Sequence, residues 1–169
     1  MQVVNVHKRK IKQPIENVSV LFNTIATNKD AIWPVKNWPA IRFNEGVKVK
    51  SKGGHGIIKY TIIAFEEGKS ITFKFTKPDG FIGIHQLFLE IVSEKETEII
   101  HEIRMHTSTF RASILWFFVI KWLHDALIEE AFDNVENHFM EVKKIPRYNI
   151  WVQFLRNRYK RKPLLTKQV

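Results

Sequence analysis

Through the middle of the chain hydrophobic and polar residues alternate in twos, and towards its end they recur in threes and fours. ITFKFT places Ile71, Phe73 and Phe75 on one face and Thr72, Lys74 and Thr76 on the other, which is the period of a half-buried strand. GFIGIHQLFLEI (81–92) alternates the same way, with His85, Leu87, Leu89 and Ile91 in the apolar row. Residues 98–107 give a further row of Ile99, His101, Ile103 and Met105, and HGIIKYTIIAFEE (55–67), which carries Tyr60 and Ile62, is a fourth strand. The turn signals EEGKS and KPDG separate these runs, and no long helical pattern interrupts them. The pattern therefore predicts antiparallel, meander-like pairing.

VVNVHKRKIK (3–12) reads as a first strand with poor alternation. After Pro14, residues Val18, Leu21, Phe22 and Ile25 have the spacing of one helical face. The two Trp-Pro pairs of NKDAIWPVKNWPA (28–40) keep any second helix in this insert short. From Ala112 to about Val142 the period becomes helical, with Trp116, Ile120, Leu123, Leu127, Ala131 and Val135 on one side and Asp125, Glu129, Asp133 and Glu136 on another. The first half of this helix is apolar all round, which predicts burial on more than one side. A strand, a helical insert, antiparallel strands and one long helix together make an α+β fold.

The net charge of +10 is not spread evenly. Residues 143–169 hold 9 of the 27 Lys/Arg and none of the 17 acids, so residues 1–142 are nearly neutral. We read 1–142 as one domain and 143–169 as a basic, aromatic extension, beginning at KKIPR. The absence of cysteine excludes disulfides, thiolate metal sites and a cysteine nucleophile. The longest apolar run, ILWFFVI, is too short to span a membrane, and MQVVNVHKRKIK lacks the apolar stretch of a secretory signal. The expectation is a cytoplasmic protein, peripheral at a membrane if the extension binds one.

IWPVKNWPAIRF, GGHGIIKYTI, FKFTKPDGFIGIHQLFLEI and WFFVIKWLHDALIEEAFDNVE, in this order and spacing, resemble landmarks of an uncharacterised bacterial branch of the SRPBCC (START-like, polyketide-cyclase-like) superfamily. The likeness covers about residues 3–140. It implies a helix-grip fold, a curved antiparallel sheet wrapped around the long C-terminal helix, with a deep cavity between them for lipids, polyketides or other apolar ligands. Some members of the superfamily are cyclases, dehydratases or hydrolases, and many only bind and carry. The extension is not part of the common core.

On this reading the pocket draws on Tyr60, Ile62, Phe73, Phe75, His85, Leu87, His101, Ile103, Met105, Trp116 and Ile120. Both strand rows face inward when the loop around SEKET has an odd residue count. Residue 85 then opposes 105, leaving His85 and His101 about 13 Å apart, too far to share a metal ion. Each histidine is then a satisfied pocket residue, a polar anchor for a ligand head group or, least favoured, a general acid or base. GGHG (53–56) precedes a strand and lacks a phosphate-loop pattern, so it reads as a turn. His124 and Asp125 point about 100° apart on a helix, which argues against a dyad, although His124 sits where it can reach the cavity mouth.

No metal or cofactor motif is present, so none is expected. In the extension, Trp151, Phe154, Arg156, Arg158, Lys160, Arg161 and Lys162 suit an anionic membrane surface or a partner. The alternative is that its aromatic residues pack over the apolar first half of the long helix. A nucleic-acid partner would rest on charge alone. The leading functional expectation is a binder or carrier of an apolar or amphipathic small molecule. The alternatives are a histidine-using enzyme and a membrane-interaction module.

Overall fold

A computed structural model describes residues 1–160 of the chain, with side chains through residue 158. The strands are β1 (Gln2–Ile11), β2 (Arg42–Phe43), β3 (Lys52–His55), β4 (Ile58–Glu66), β5 (Ser70–Lys77), β6 (Phe81–Ser93) and β7 (Glu96–Thr107). They form one antiparallel sheet in the order β1-β7-β6-β5-β4-β3-β2, so the first strand pairs with the last. Helix α1 (Ile15–Phe22) follows β1. Helix α2 (Phe110–Leu115), a π-helical segment (Trp116–Ile120) and α3 (Lys121–Phe139) run on as one long helix gripped by the curved sheet, and α4 (Ile150–Lys160) closes the described chain. This is the helix-grip α+β architecture that the sequence resemblance implied.

Thr109 caps the long helix, its side chain accepting from the Ala112 N–H. The helix ends at Phe139, short of the expected Val142. There Met140 turns extended, Asn137 holds both the Lys144 N–H and the Lys144 carbonyl, and the Lys143 ammonium donates to the carbonyls of Asn137 and Met140. Side-chain partners for these last carbonyls make a further helical turn unnecessary.

The core lies between the sheet and the helix. Phe132 and Val135 from α3, Ile62 from β4, Ile99 from β7 and Val18 from α1 are fully buried there. β1 owes its poor alternation to its inward face. Val3 and Ile11 are buried at the two ends, but Asn5, His7 and Arg9 lie between them, opposite the polar side of α3. Asn5 reaches Asp125, His7 reaches Asp125 and Glu129, and Arg9 reaches Glu129, Asp133 and Glu136. A polar strand face and a polar helix face meet, and each supplies the partners that the other needs.

Two expectations are overturned. The apolar first half of the long helix is not buried on several sides: Phe117 is 56% and Trp122 41% exposed, and Phe110, Ile114 and Phe118 are exposed as well. The β6–β7 register also differs. Residue 85 opposes 103, not 105, and Leu87 opposes His101. A two-residue turn, Glu94-Lys95, closes the hairpin, and the extra residue of a bulge at Val92 restores the inward row. His85 and His101 thereby become diagonal neighbours on one face.

Candidate functional site

Between the sheet and the long helix lies a cavity of about 690 Å³. The Trp-Pro insert supplies Trp33, Val35, Trp38 and Pro39 at one side, the β3–β4 turn supplies Ile57, and the start of β4 supplies Ile58. The sheet contributes Phe75, Phe81 and Ile103, and the helix contributes Trp116, Ile120, Leu123, Leu127 and Ile128. Bulges in β4 relative to β5, next to Tyr60 and Ile62, locally break the ladder on this side of the sheet. The polar groups that line the cavity include Lys36, Asn37, Arg156 and four histidines, His55, His85, His101 and His124, and among the described residues no carboxylate lines it.

Of the pocket residues expected from sequence, Phe75, His85, His101, Ile103, Trp116 and Ile120 line this cavity. Phe73 and Leu87 line a space of about 20 Å³ beneath it, together with His85 and His101. Tyr60, Ile62 and Met105 are buried in the same interior without lining either space. Tyr60 packs edge-on against His85, with ring centroids 4.7 Å apart.

The histidines form one aromatic succession. His85 is sandwiched between Phe73 and Phe75, with centroids at 4.5 and 4.8 Å. Its Nδ1 lies 3.3 Å from His101 Nε2, so one imidazole donates to the other. This replaces the separation of about 13 Å expected from the other register. His101 in turn packs on His124, with centroids 4.8 Å apart. Burial disfavours the imidazolium in each ring. It lowers the pKa of His55 to about 3, aided by the charge of His124, and holds His85 and His101 well below the ordinary value. All three are neutral at pH 7. The outer nitrogens His85 Nε2 and His101 Nδ1, and the Tyr60 hydroxyl, are buried without a hydrogen-bond partner among the described residues.

His124 and Asp125 come closer than their places on the helix suggested, with Nδ1 to Oδ1 at 3.5 Å. Both side chains bend towards His7 on β1, which the helical angle alone does not register. Burial and its neighbours act oppositely on His7: desolvation lowers its pKa, but Asp125 and Glu129 outweigh this and raise it.

The mouth is held by a buried carboxylate. Glu130 accepts from Asn37 Nδ2 at 2.6 Å, from Trp38 Nε1 at 2.6 Å and from the Tyr148 hydroxyl. Arg156 does not share the outward face expected of it. Its guanidinium lies 4.0 Å from the Tyr148 ring centre and 4.8 Å from that of Trp38, and it donates to the Asn37 carbonyl at 3.0 Å. Val152 and Leu155 bury the inner side of α4, while Trp151 and Phe154 stack on each other at the surface. The indole N–H groups of Trp151 and Trp122 donate to the carbonyls of Phe118 and Phe117 at the wide π turn, where the regular ladder is disturbed. Arg158 is exposed, and the side chain of Lys160 together with Arg161 and Lys162 lies outside the described residues. Among the described residues no helix is long and apolar enough to cross a membrane.

Sequence reasoning missed His55, whose Gly-Gly context reads as turn, and the insert tryptophans. It also left Glu130 unremarked, because an acid within a helical period carries no local sign of its partners. The only legible signal for the insert was its density of Trp-Pro pairs, unusual for a plain connector.

No model of a known protein family matches the chain, and no curated protein sequence does either. Solved structures do. Truncated norcoclaurine synthase from Thalictrum flavum superposes with a TM-score of 0.62 at 9% identity, over 85% of this chain and 96% of that one. The same enzyme in complex with dopamine and hydroxybenzaldehyde gives 0.61 at 9% identity, over 86% and 90%. A protein from Nitrosospira multiformis gives 0.62 at 13% identity, over 82% and 97%. At these identities the likeness is one of fold.

Proposed function

We propose that this protein binds an amphipathic small molecule, apolar in its body and hydrogen-bonding or anionic at one end, in the cavity between sheet and helix. The observation that carries the reading is the composition of the wall. Apolar side chains dominate it, four histidines, three of them with an unpartnered nitrogen, supply directed polar contacts, and the two charged residues among the described lining, Lys36 and Arg156, are both cationic. Buried apolar ligand surface contributes about 25 cal/mol per Å², and the placed polar groups set orientation. That norcoclaurine synthase holds dopamine and hydroxybenzaldehyde supports a small-molecule pocket in this architecture.

The test is native mass spectrometry of gently purified protein beside an organic extract of the same sample, with titration of 1-anilinonaphthalene-8-sulfonate as an anionic amphipathic probe. A stoichiometric adduct, or saturable one-to-one probe binding that the Ile103→Trp variant loses while staying folded, is the expected result. A clean mass with no saturable binding sinks the reading. Glutamine at position 85 or 101 separates binding from catalysis: a binder loses modest affinity, whereas an enzyme loses turnover and keeps its ligand.

A second reading is supported by the exposed aromatic face. Phe117, Phe118 and Trp122 on the long helix adjoin Trp151 and Phe154 on α4, within a segment of charge +9. Such a face suits an anionic lipid surface, with about 1 kcal/mol per basic residue near the headgroups. Cosedimentation with phosphatidylglycerol-containing vesicles, abolished by Trp151→Glu with Phe154→Glu and by high salt, is the outcome this reading requires.

A further inference from the structure

We infer that His7, His124 and Asp125 form a binding site for a first-row divalent cation, with Zn²⁺ the natural occupant, where β1 meets the long helix. The three side chains can each offer one ligand atom such that all lie within 4.8 Å of one another. Two of the three edges are fixed on Asp125 Oδ1, which stands 3.1 Å from His7 Nε2 and 3.5 Å from His124 Nδ1. Bonds of about 2.0–2.1 Å at the tetrahedral angle set ligand atoms about 3.3–3.4 Å apart, between those two distances. Two imidazoles and one carboxylate suit zinc or iron and do not suit Mg²⁺ or Ca²⁺, which take oxygen.

Two further observations point to a ligand at this place. His124 is only partly buried, but both its ring nitrogens are shut off from solvent and, apart from the long 3.5 Å approach of Nδ1 to Asp125, find no hydrogen-bond partner among the described residues, and the same holds for Asn5 Oδ1. Imidazole nitrogens kept from water without a full hydrogen bond are costly, and coordination relieves this. The surroundings also have the form of an outer coordination shell. The second nitrogen of His7 lies 2.7 Å from Glu129 Oε1, which orients that ring from behind, and Asn5 Nδ2 donates to Asp125 Oδ1 itself at 3.0 Å, which holds the carboxylate in place. Asp125 is partly exposed, which leaves an entry path from solvent. On entering, the cation takes the place of the proton that His7 Nε2 and Asp125 share. Because His124 also lines the cavity, the ion stands at its wall. The site does not depend on what fills the cavity.

The experiment uses the full-length, tag-free protein after dialysis against a chelator, titrated calorimetrically with Zn²⁺ and followed in the visible spectrum with Co²⁺. The expected result is one ion per chain, a Co²⁺ band of four- or five-coordinate intensity, and at least tenfold weaker binding in His7→Gln, His124→Gln and Asp125→Asn. Glu129→Gln, which alters only the outer shell, should weaken binding by about 10- to 100-fold. His106→Gln and His138→Gln, remote from the cluster, should bind as the parent does. Absence of saturable one-to-one binding, or binding unchanged in His124→Gln and Asp125→Asn, overturns the assignment. If those two variants do not fold, the parent Co²⁺ spectrum and Glu129→Gln decide in the same way.

Discussion

Replacing Glu130 by alanine should unfasten the cavity mouth and destabilise the whole molecule. Glu130 is 5% exposed and is a single acceptor for three donors from two other parts of the chain: Asn37 and Trp38 of the insert and Tyr148 ahead of α4. Removing it leaves those donors facing a side chain that cannot accept. Hydrogen bonds to a charged group contribute about 1.5–3 kcal/mol each, but three on one carboxylate do not add in full. Breaking a buried charged node by deleting one partner costs about 3–5 kcal/mol in total. For a domain of this size that lowers Tm by about 10 °C. Because Arg156 rests on the rings of Trp38 and Tyr148, α4 should also loosen, and trypsin should cut after Arg147 and Arg156 sooner. Urea unfolding followed by circular dichroism measures the first effect and limited proteolysis the second. Glu130→Gln keeps one acceptor oxygen and should lose about half as much. If Glu130→Ala lies within 1 kcal/mol of the parent, water reaches these donors and the reasoning from a desolvated clasp is wrong.

Stability should fall as pH drops below about 6.5, the unfolded histidine value. The folded pKa values of His55, His85, His101 and His124 are depressed, so the unfolded chain takes up protons that the folded chain refuses, at up to about 1.4 kcal/mol per pH unit for each. His7, whose pKa is raised, contributes with the opposite sign and is outnumbered. Melting curves from pH 7.5 to 5.5 check this, with His55→Gln expected to flatten the slope and an unchanged slope counting against burial of that ring. Phe132→Ala should cost about 3–5 kcal/mol in urea unfolding, because Phe132 on α3 is fully buried between helix and sheet and the space cannot collapse against a stiff sheet. Gly53→Ala should detach β2 and lower Tm, since a Cβ there would lie 2.0 Å from the Arg42 carbonyl oxygen. A neutral effect would mean that β2 pairs only loosely.

The sequence by itself determined the element order, the strand faces and the presence of one long helix, because period 2 and period 3.6 are local consequences of burying one side of an element. It also placed His85 and His101 in the inward rows and six residues of the cavity wall. It did not determine which residues of neighbouring strands meet. A single bulged residue at Val92 shifts the β6–β7 register, and that shift alone turns two distant histidines into a hydrogen-bonded pair. Nor could it show why an apolar helix half stays exposed, or why His7, Arg9 and Glu130 on polar faces are partners instead of solvated charges. Those facts depend on which faces approach each other in space. Only the tertiary structure decides that, because a polar residue bonded across an interface and one bonded to water leave the same local pattern in the chain.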